Sequence, residues 1–165
     1  EQLVGLKTII LDTRKTTPLF RMMEKWAVKI GGGENHRFGL FDMILIKNNH
    51  VDSSGGITNA IRLANEYLQK KNKKLSIVVE TRNMKEVEDV LTSGGVNRIL
   101  LDNFSPAQLS EAVKLINHKY ETEASGKITL ENVREYAETG VDYISAGALT
   151  HSYKSMDISL RIVNA

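Results

Sequence analysis

Short runs of Ile, Leu and Val recur along the chain, and the segments between them place their apolar residues three and four positions apart. The runs are TIILD (8–12), MILIK (43–47), SIVVE (76–80), RILLD (98–102), YETEAS (120–125) and YISAG (143–147). Most have continuous apolar cores, the pattern of parallel strands buried on both faces. A further run, DISLRIV (157–163), predicts an extra C-terminal strand with no helix after it.

The intervening segments carry helix start and stop signals. Asn83 caps MKEVEDVLTS, with Glu86 at the capping-box position, Met84, Val87 and Val90/Leu91 as the apolar stripe, and Gly94 as the stop. Ser105 followed by Pro106 opens the next helix, whose inward face is Leu109, Ala112/Val113 and Ile116. Thr129 opens another that Gly140 closes, and a helix begins near Thr58. Asp52–Gly56 reads as a mobile loop, and SAGALTHS (145–152) runs into a short helical turn. Strict alternation of strand and helix implies an α/β parallel sheet, open or rolled up. About six units favour an incomplete, open β/α barrel.

The polar residues gather where the strands stop. The six runs end at Asp12-Thr13-Arg14-Lys15, Lys47-Asn48-Asn49-His50, Glu80, Asp102-Asn103, Ser125-Gly126, and Gly147 with His151 just beyond. In parallel α/β folds these C-terminal ends form one face, and that face carries the chemistry. Any one of these residues is as readily solvated surface; it is their shared edge that points to a site. His118, alone late in a helix, reads as a charge partner for the helix end.

Sorted by chemistry, the residues form three groups. Arg14, Lys15, His36, Arg37 and Lys47 are cationic or can become so, and GGGENHR (31–37) brings backbone amides beside His36 and Arg37. Several such cations suit a multiply negative small molecule, because arginine pairs bidentately with carboxylate or phosphate. Glu80 and Asp102 can bind Mg²⁺, accept hydrogen bonds from sugar hydroxyls or stabilise a cation; pairing with Lys47 is the plainer alternative. Ser125-Gly126 and Ala146-Gly147 are small residues before helical segments, which makes a phosphate cradle or a simple tight turn.

Bulk properties narrow the classes. The chain has 165 residues, enough for one domain with a sizeable core. It is 41% hydrophobic and 25% charged with a net charge of +2, an ordinary globular balance that gives no reason to expect nucleic acid. It has no cysteine, so disulfides, thiolate nucleophiles and Cys-based metal sites are excluded. No apolar run approaches the ~20 residues of a membrane span, and a cytoplasmic location is expected. The chain opens at Glu1 and enters a strand-like segment almost at once, as a fragment or excised domain would.

DTRKTTP, GGGENHR, ILIKNNH, VVE, LLDN, EASG and ISAGALTHS stand in an order that resembles the quinolinate phosphoribosyltransferase family, the carboxylating nicotinate-nucleotide pyrophosphorylases of NAD biosynthesis. The resemblance covers nearly the whole chain. It implies a type II phosphoribosyltransferase fold, an incomplete α/β barrel. The implied reaction joins quinolinate to the ribose of phosphoribosyl pyrophosphate and releases pyrophosphate and CO₂, with Mg²⁺. Carried over by motif, Arg14, His36 and Arg37 bind the quinolinate carboxylates with Lys47 beside them, and Lys15 meets the pyrophosphate side. Glu80 and Asp102 hold ribose hydroxyls and a water-bridged Mg²⁺; with Lys47 they form the implied catalytic set. Ser125, Gly126, Gly147 and His151 surround phosphate groups.

Three departures stand out. Leu19 sits where the family often has glycine, and Lys127 replaces a common glycine of the ASGG loop. The N-terminal sandwich domain of the family is absent from this chain. With it goes the arginine that a homodimer partner contributes, so the resemblance implies exposed apolar surface and little activity in isolation. A nicotinate-type phosphoribosyltransferase, a barrel lyase with a Schiff base on Lys47, and a non-catalytic phosphate-ligand-binding fragment remain open as alternatives.

Overall fold

The computed structural model describes Leu3 and residues 5–162. Six strands form one wholly parallel sheet, in the spatial order β1-β6-β5-β4-β3-β2. They are β1 (Ile9–Leu11), β2 (Ile44–Ile46), β3 (Ile77–Thr81), β4 (Arg98–Asp102), β5 (Glu121–Ser125) and β6 (Tyr143–Ser145). Each falls inside, or within one residue of, its apolar run. Neighbours follow chain order from β2 to β6 and then return to β1, the winding of a barrel left open between β1 and β2. Seven helices are described: α1 (Arg21–Ile30), α2 (Asn48–Ser54), α3 (Ile57–Lys70), α4 (Met84–Ser93), α5 (Pro106–Ile116), α6 (Val133–Ala137) and α7 (Ala148–His151).

Period-two alternation divides the sheet's two faces. On β4, Ile99 and Leu101 are fully buried in the cluster formed with Val87 and Val90 of α4 and Leu109, Ala112 and Ile116 of α5. Each such side chain contributes roughly 1.5–3 kcal/mol by leaving water. The alternate residues Leu100 and Asp102 face the interior of the open barrel. The interior is therefore polar at its mouth while the outer layer is aliphatic.

Two caps act as their sequences predict. Asn83 Oδ1 accepts the Glu86 N–H at 3.0 Å, and Ser105 with Gln108 forms a reciprocal capping box with Pro106 in the first turn. The Glu86 carboxylate turns back one residue further than a capping box requires and accepts from the Arg82 N–H at 2.7 Å.

Several elements differ from expectation. Residues 157–162 form no strand: a strand exists only through pairing, and these residues pair with none of the described chain, which leaves Ile158, Leu160 and Ile162 at 83%, 97% and 92% exposure. Val163, the end of that predicted strand, lies outside the described residues. Asp52–Gly56 is not a loop but the end of α2 and its junction with α3; His50 Nδ1 accepts the Lys47 N–H at 2.8 Å and closes the first turn of α2. The segment from Thr129 becomes regular helix only at Val133, because Asn132 is spent on local bonds to the Thr129 N–H and the Lys127 carbonyl. Helix α1 starts at Arg21, beyond a left-handed Leu19 (φ 68°). His118 lies past the end of α5, after Asn117, and also has a positive φ of 58°.

The surface of α1 is inverted relative to an ordinary amphipathic helix. Its one buried residue is Lys25, while Phe20 before it and Met22, Met23, Trp26 and Ile30 along it are exposed. Phe38, Leu40 and Phe41 are exposed as well.

Candidate active site

The first strand ends in a carboxylate that organises the whole cation side. Asp12 is completely buried and accepts hydrogen bonds from Lys25 Nζ, Asn35 Nδ2 and, at 2.9 Å, the His36 N–H. Lys25 Nζ also donates to the His36 carbonyl at 2.9 Å. The glycine-rich segment continues along the open edge of β1: Glu34 N–H donates to Ile10 O at 2.8 Å, and Asp12 N–H donates to Glu34 O at 3.2 Å. DTRKTTP and GGGENHR, distant in sequence, thus become adjacent rims of one site. The Thr150 hydroxyl of α7 donates to the Lys15 carbonyl at 2.7 Å and ties the same rim to the last loop.

Arg14 and Arg37 stand close enough for their charges to interact, and neither forms a salt bridge among the described residues. Arg14 Nε is buried and makes no hydrogen bond, and the one hydrogen bond recorded for the Arg37 guanidinium runs to the Met43 carbonyl at 3.2 Å. Burial, and then the neighbouring Arg14 charge, lower the Arg37 pKa, with Asp42 opposing them in part. An anion between the two guanidiniums would relieve this repulsion. Lys47 reaches across to Glu80, with Nζ at 3.1 Å from Oε2.

His36 behaves differently from the cation expected of it. Its Nδ1 accepts the Arg37 N–H at 2.7 Å, so that nitrogen carries no proton. By this hydrogen-bond assignment the ring is neutral and protonated at Nε2, which faces Glu123 Oε2 at 3.4 Å. His36 joins the site as a hydrogen-bond donor.

The carboxylates occupy the neighbouring strands. Burial and then the charge of Glu80 raise the Asp102 pKa above the ordinary carboxylate value, against opposition from Asn103, Lys47 and Lys15. Asn103 Nδ2 donates to Asp102 Oδ2 at 2.8 Å. Glu123, two residues before Ser125 on the same face of β5, is fully buried. Burial pushes its carboxyl up, but His36, Ser145 and Arg98 together outweigh that and hold it below the usual range.

Small residues close the remaining wall. A Cβ on Gly126 would stand 2.4 Å from Asn103 Oδ1, and the residue's φ of +98° is itself unsuited to other side chains. A Cβ on Gly147 would meet His151 Nε2 at 2.9 Å and Lys15 Cδ at 3.2 Å. Backbone therefore approaches the cleft closely at both places. Because regular helix starts only at Val133, a ligand here meets loop amides of 125–129 rather than a helix end.

All eleven residues singled out from sequence (Arg14, Lys15, His36, Arg37, Lys47, Glu80, Asp102, Ser125, Gly126, Gly147 and His151) line one cleft of about 820 Å³. Lys127 lines it too, as do Asn103, Glu123 and Ser145, which the sequence reading passed over as site residues. The signal for Glu123 was available: with Ser125 in the site, residue 123 shares its face of the strand.

Known proteins resemble this chain along most of its length. The family described as "Quinolinate phosphoribosyl transferase, C-terminal domain" matches residues 1–161. The chain is 51% identical to an Arabidopsis thaliana protein named nicotinate-nucleotide pyrophosphorylase [carboxylating], chloroplastic, over 93% of this chain and 48% of that protein. It is 45% identical to the probable nicotinate-nucleotide pyrophosphorylase [carboxylating] of Bacillus subtilis (strain 168), over 93% and 52%. The crystal structure of NadC from Streptococcus pyogenes superimposes with a TM-score of 0.89 at 38% identity, covering 97% of this chain and 55% of that one. The chain spans about half the length of the curated relatives it matches. Its match along nearly its full length makes it a member of the quinolinate phosphoribosyl transferase family, corresponding to that family's C-terminal domain.

Proposed function

We propose that this domain binds quinolinate and phosphoribosyl pyrophosphate and transfers the phosphoribosyl group to the pyridine nitrogen, with loss of CO₂, to give nicotinate mononucleotide. The observation that carries this reading is the pair of guanidiniums, Arg14 and Arg37, that form no salt bridge among the described residues and line one cleft with the carboxylates Glu80 and Asp102. The arginines, with Lys47, suit a planar dicarboxylate, and His36 holds the main chain that carries Arg37. Lys15 and the loops at Ser125-Gly126 and Gly147-His151 suit phosphates. Glu80 and Asp102 suit ribose hydroxyls and the positive charge that builds at the anomeric carbon as pyrophosphate departs. Glycosylation makes the ring nitrogen a pyridinium, whose positive charge stabilises the electron pair that departing CO₂ leaves on the adjacent carbon until that carbon gains a proton. No protein nucleophile is needed; orientation of two mutually repelling polyanions is the main task.

Mg²⁺ fits this donor set in one specific way. Among the described residues no group of three or more His, Cys, Asp or Glu could cage a metal. Glu80 and Asp102 provide two carboxylates, suited to an ion that keeps most of its water and is held mainly by the ligand's phosphates. When bound, Mg²⁺ would neutralise charge on the departing pyrophosphate.

Lys47 is half-exposed and ion-paired with Glu80, whereas a Schiff-base lysine is activated by a dry pocket or a neighbouring cation, so the lyase alternative has no support here. We further propose that the apolar surface of α1 and residues 38–41 is covered by an N-terminal domain and a homodimer partner. A cytoplasmic location is retained as a proposal. Among the described residues no helix is long and apolar enough to cross a membrane, and several plant relatives are named chloroplastic or mitochondrial.

The test is pyrophosphate release by the full-length protein, dependent on both substrates and on Mg²⁺. Release without quinolinate, or equal release with nicotinate, would overturn the assignment. The 165-residue chain alone should show little turnover in the same assay.

A further inference from the structure

We propose that Glu123 is the positioning residue that fixes the tautomer and orientation of the His36 ring, and through it the main chain of Arg37, in the cleft. The inference rests on the cleft being the substrate site, although its structural half stands alone. The contacts run in sequence through the open barrel. Arg98, at the start of β4, donates through Nη1 to Glu123 Oε2 at 3.0 Å and through Nε and Nη2 to Glu121 Oε2 at 3.0 and 2.9 Å. Its guanidinium carbon lies 3.7 Å from the Tyr143 ring centroid, so the side chain is held from several directions.

That clamp fixes the Glu123 carboxylate, and Oε2 then meets His36 Nε2 at 3.4 Å. On the other side of the ring, Nδ1 accepts the Arg37 N–H at 2.7 Å. An imidazole with an acceptor facing one nitrogen and a donor facing the other has one permitted tautomer and cannot be flipped without losing both contacts. Glu123 Oε1 makes no hydrogen bond although it is buried and its residue lines the cleft. The carboxylate therefore contributes to His36 through Oε2 alone, and the contact depends on the Arg98 clamp. Because Arg37 N–H is the other half of this arrangement, Glu123 also steadies the main chain that carries the Arg37 guanidinium.

The test uses ¹⁵N-histidine-labelled full-length protein. Ring ¹⁵N spectra should show His36 protonated at Nε2 only. Glu123→Gln keeps an acceptor for both Arg98 and His36, so the tautomer should persist and quinolinate affinity by calorimetry should stay within about twofold. Glu123→Met removes the acceptor, so the tautomer should become mixed and quinolinate binding should weaken about tenfold, with inorganic phosphate affinity unchanged. An unaltered His36 tautomer in Glu123→Met would overturn the proposal, as would equal losses in both variants. Should Glu123→Met fail to fold, Arg98→Met combined with Glu123→Met removes the buried unpaired cation and gives the same reading. If the wild type does not bind quinolinate, the functional reading fails while the spectra still decide the role of Glu123.

Discussion

Asp12 and Asp102 are both aspartates at the C-terminal ends of parallel strands, yet their surroundings are opposite. Asp12 is completely buried and its oxygens are engaged by Lys25, Asn35 and the His36 N–H. Asp102 is partly open and has Asn103 as its bonded partner; the neighbouring Glu80 adds to a pKa already raised by burial. The first has no capacity left for a ligand. The second is held in an unfavourable electrostatic state that a bound hydroxyl or cation would relieve. Saturated charge marks a group that builds the site, and frustrated charge marks a group that works in it.

This contrast is open to direct attack. The largest effect should come from Asp12→Ala, which strands the buried Lys25 ammonium and should cost about 3–5 kcal/mol in denaturant unfolding. A loss below about 1 kcal/mol would show that Asp12 is not the organising group. Next comes Arg37→Ala. It removes one of two guanidiniums awaiting an anion and should weaken quinolinate binding on the order of 100-fold in a well-folded protein. Unchanged calorimetric affinity would sink the cation assignment.

Smaller effects are expected at the two departures from family glycines. Leu19 and Lys127 have φ of 68° and 53°, the left-handed region where a Cβ is unfavourable. Leu19→Gly and Lys127→Gly should each stabilise the fold by about 0.5–1 kcal/mol. If Lys127→Gly stabilises yet weakens phosphate binding, the strain is retained for a charge at the cleft. If it stabilises and leaves phosphate binding alone, the Lys127 charge makes no contact with phosphate although the residue lines the cleft.

Asp102→Asn should have the smallest effect on stability and a large one on turnover. A carboxyl raised above its unfolded pKa binds its proton more tightly in the folded chain. Its contribution to stability is therefore present in acid and lost as pH rises from the unfolded value through the folded one. The amide removes that loss, so at neutral pH the variant should be more stable than wild type by no more than about 1 kcal/mol, and the difference should vanish in acid. Unfolding curves at both pH values check this; a destabilised variant at neutral pH would contradict the raised pKa.

The six strands were legible because a parallel strand buried on both faces is written in contiguous Ile, Leu and Val. Asn83, Ser105 and Pro106 were legible because caps act over three or four residues. The segment NNHVDSS was not, since nothing in its composition favours helix and His50 closes the turn of α2 on Lys47. The DISLRIV strand failed for a related reason: alternation states which face is apolar but supplies no partner. Most cleft residues were legible from strand ends, and His36 and Arg37 from the glycine-rich GGGENHR, yet Glu123 was overlooked inside a strand, where buried charge is least expected.

By itself, then, the sequence determined the order of the six strands, the edge at which chemistry collects, and the residue types available there. All of these follow from local periodicity and from the fact that parallel strands share a direction. Tertiary structure alone decided which charges are spent and which are free. It paired Asp12 with Lys25, left Arg14 beside Arg37, and set Asp102 near Glu80. It also turned His36 from a candidate cation into a neutral donor between Arg37 N–H and Glu123. A side chain's charge state depends on neighbours within a few ångströms, and those neighbours come from strands and loops that lie far apart along the chain.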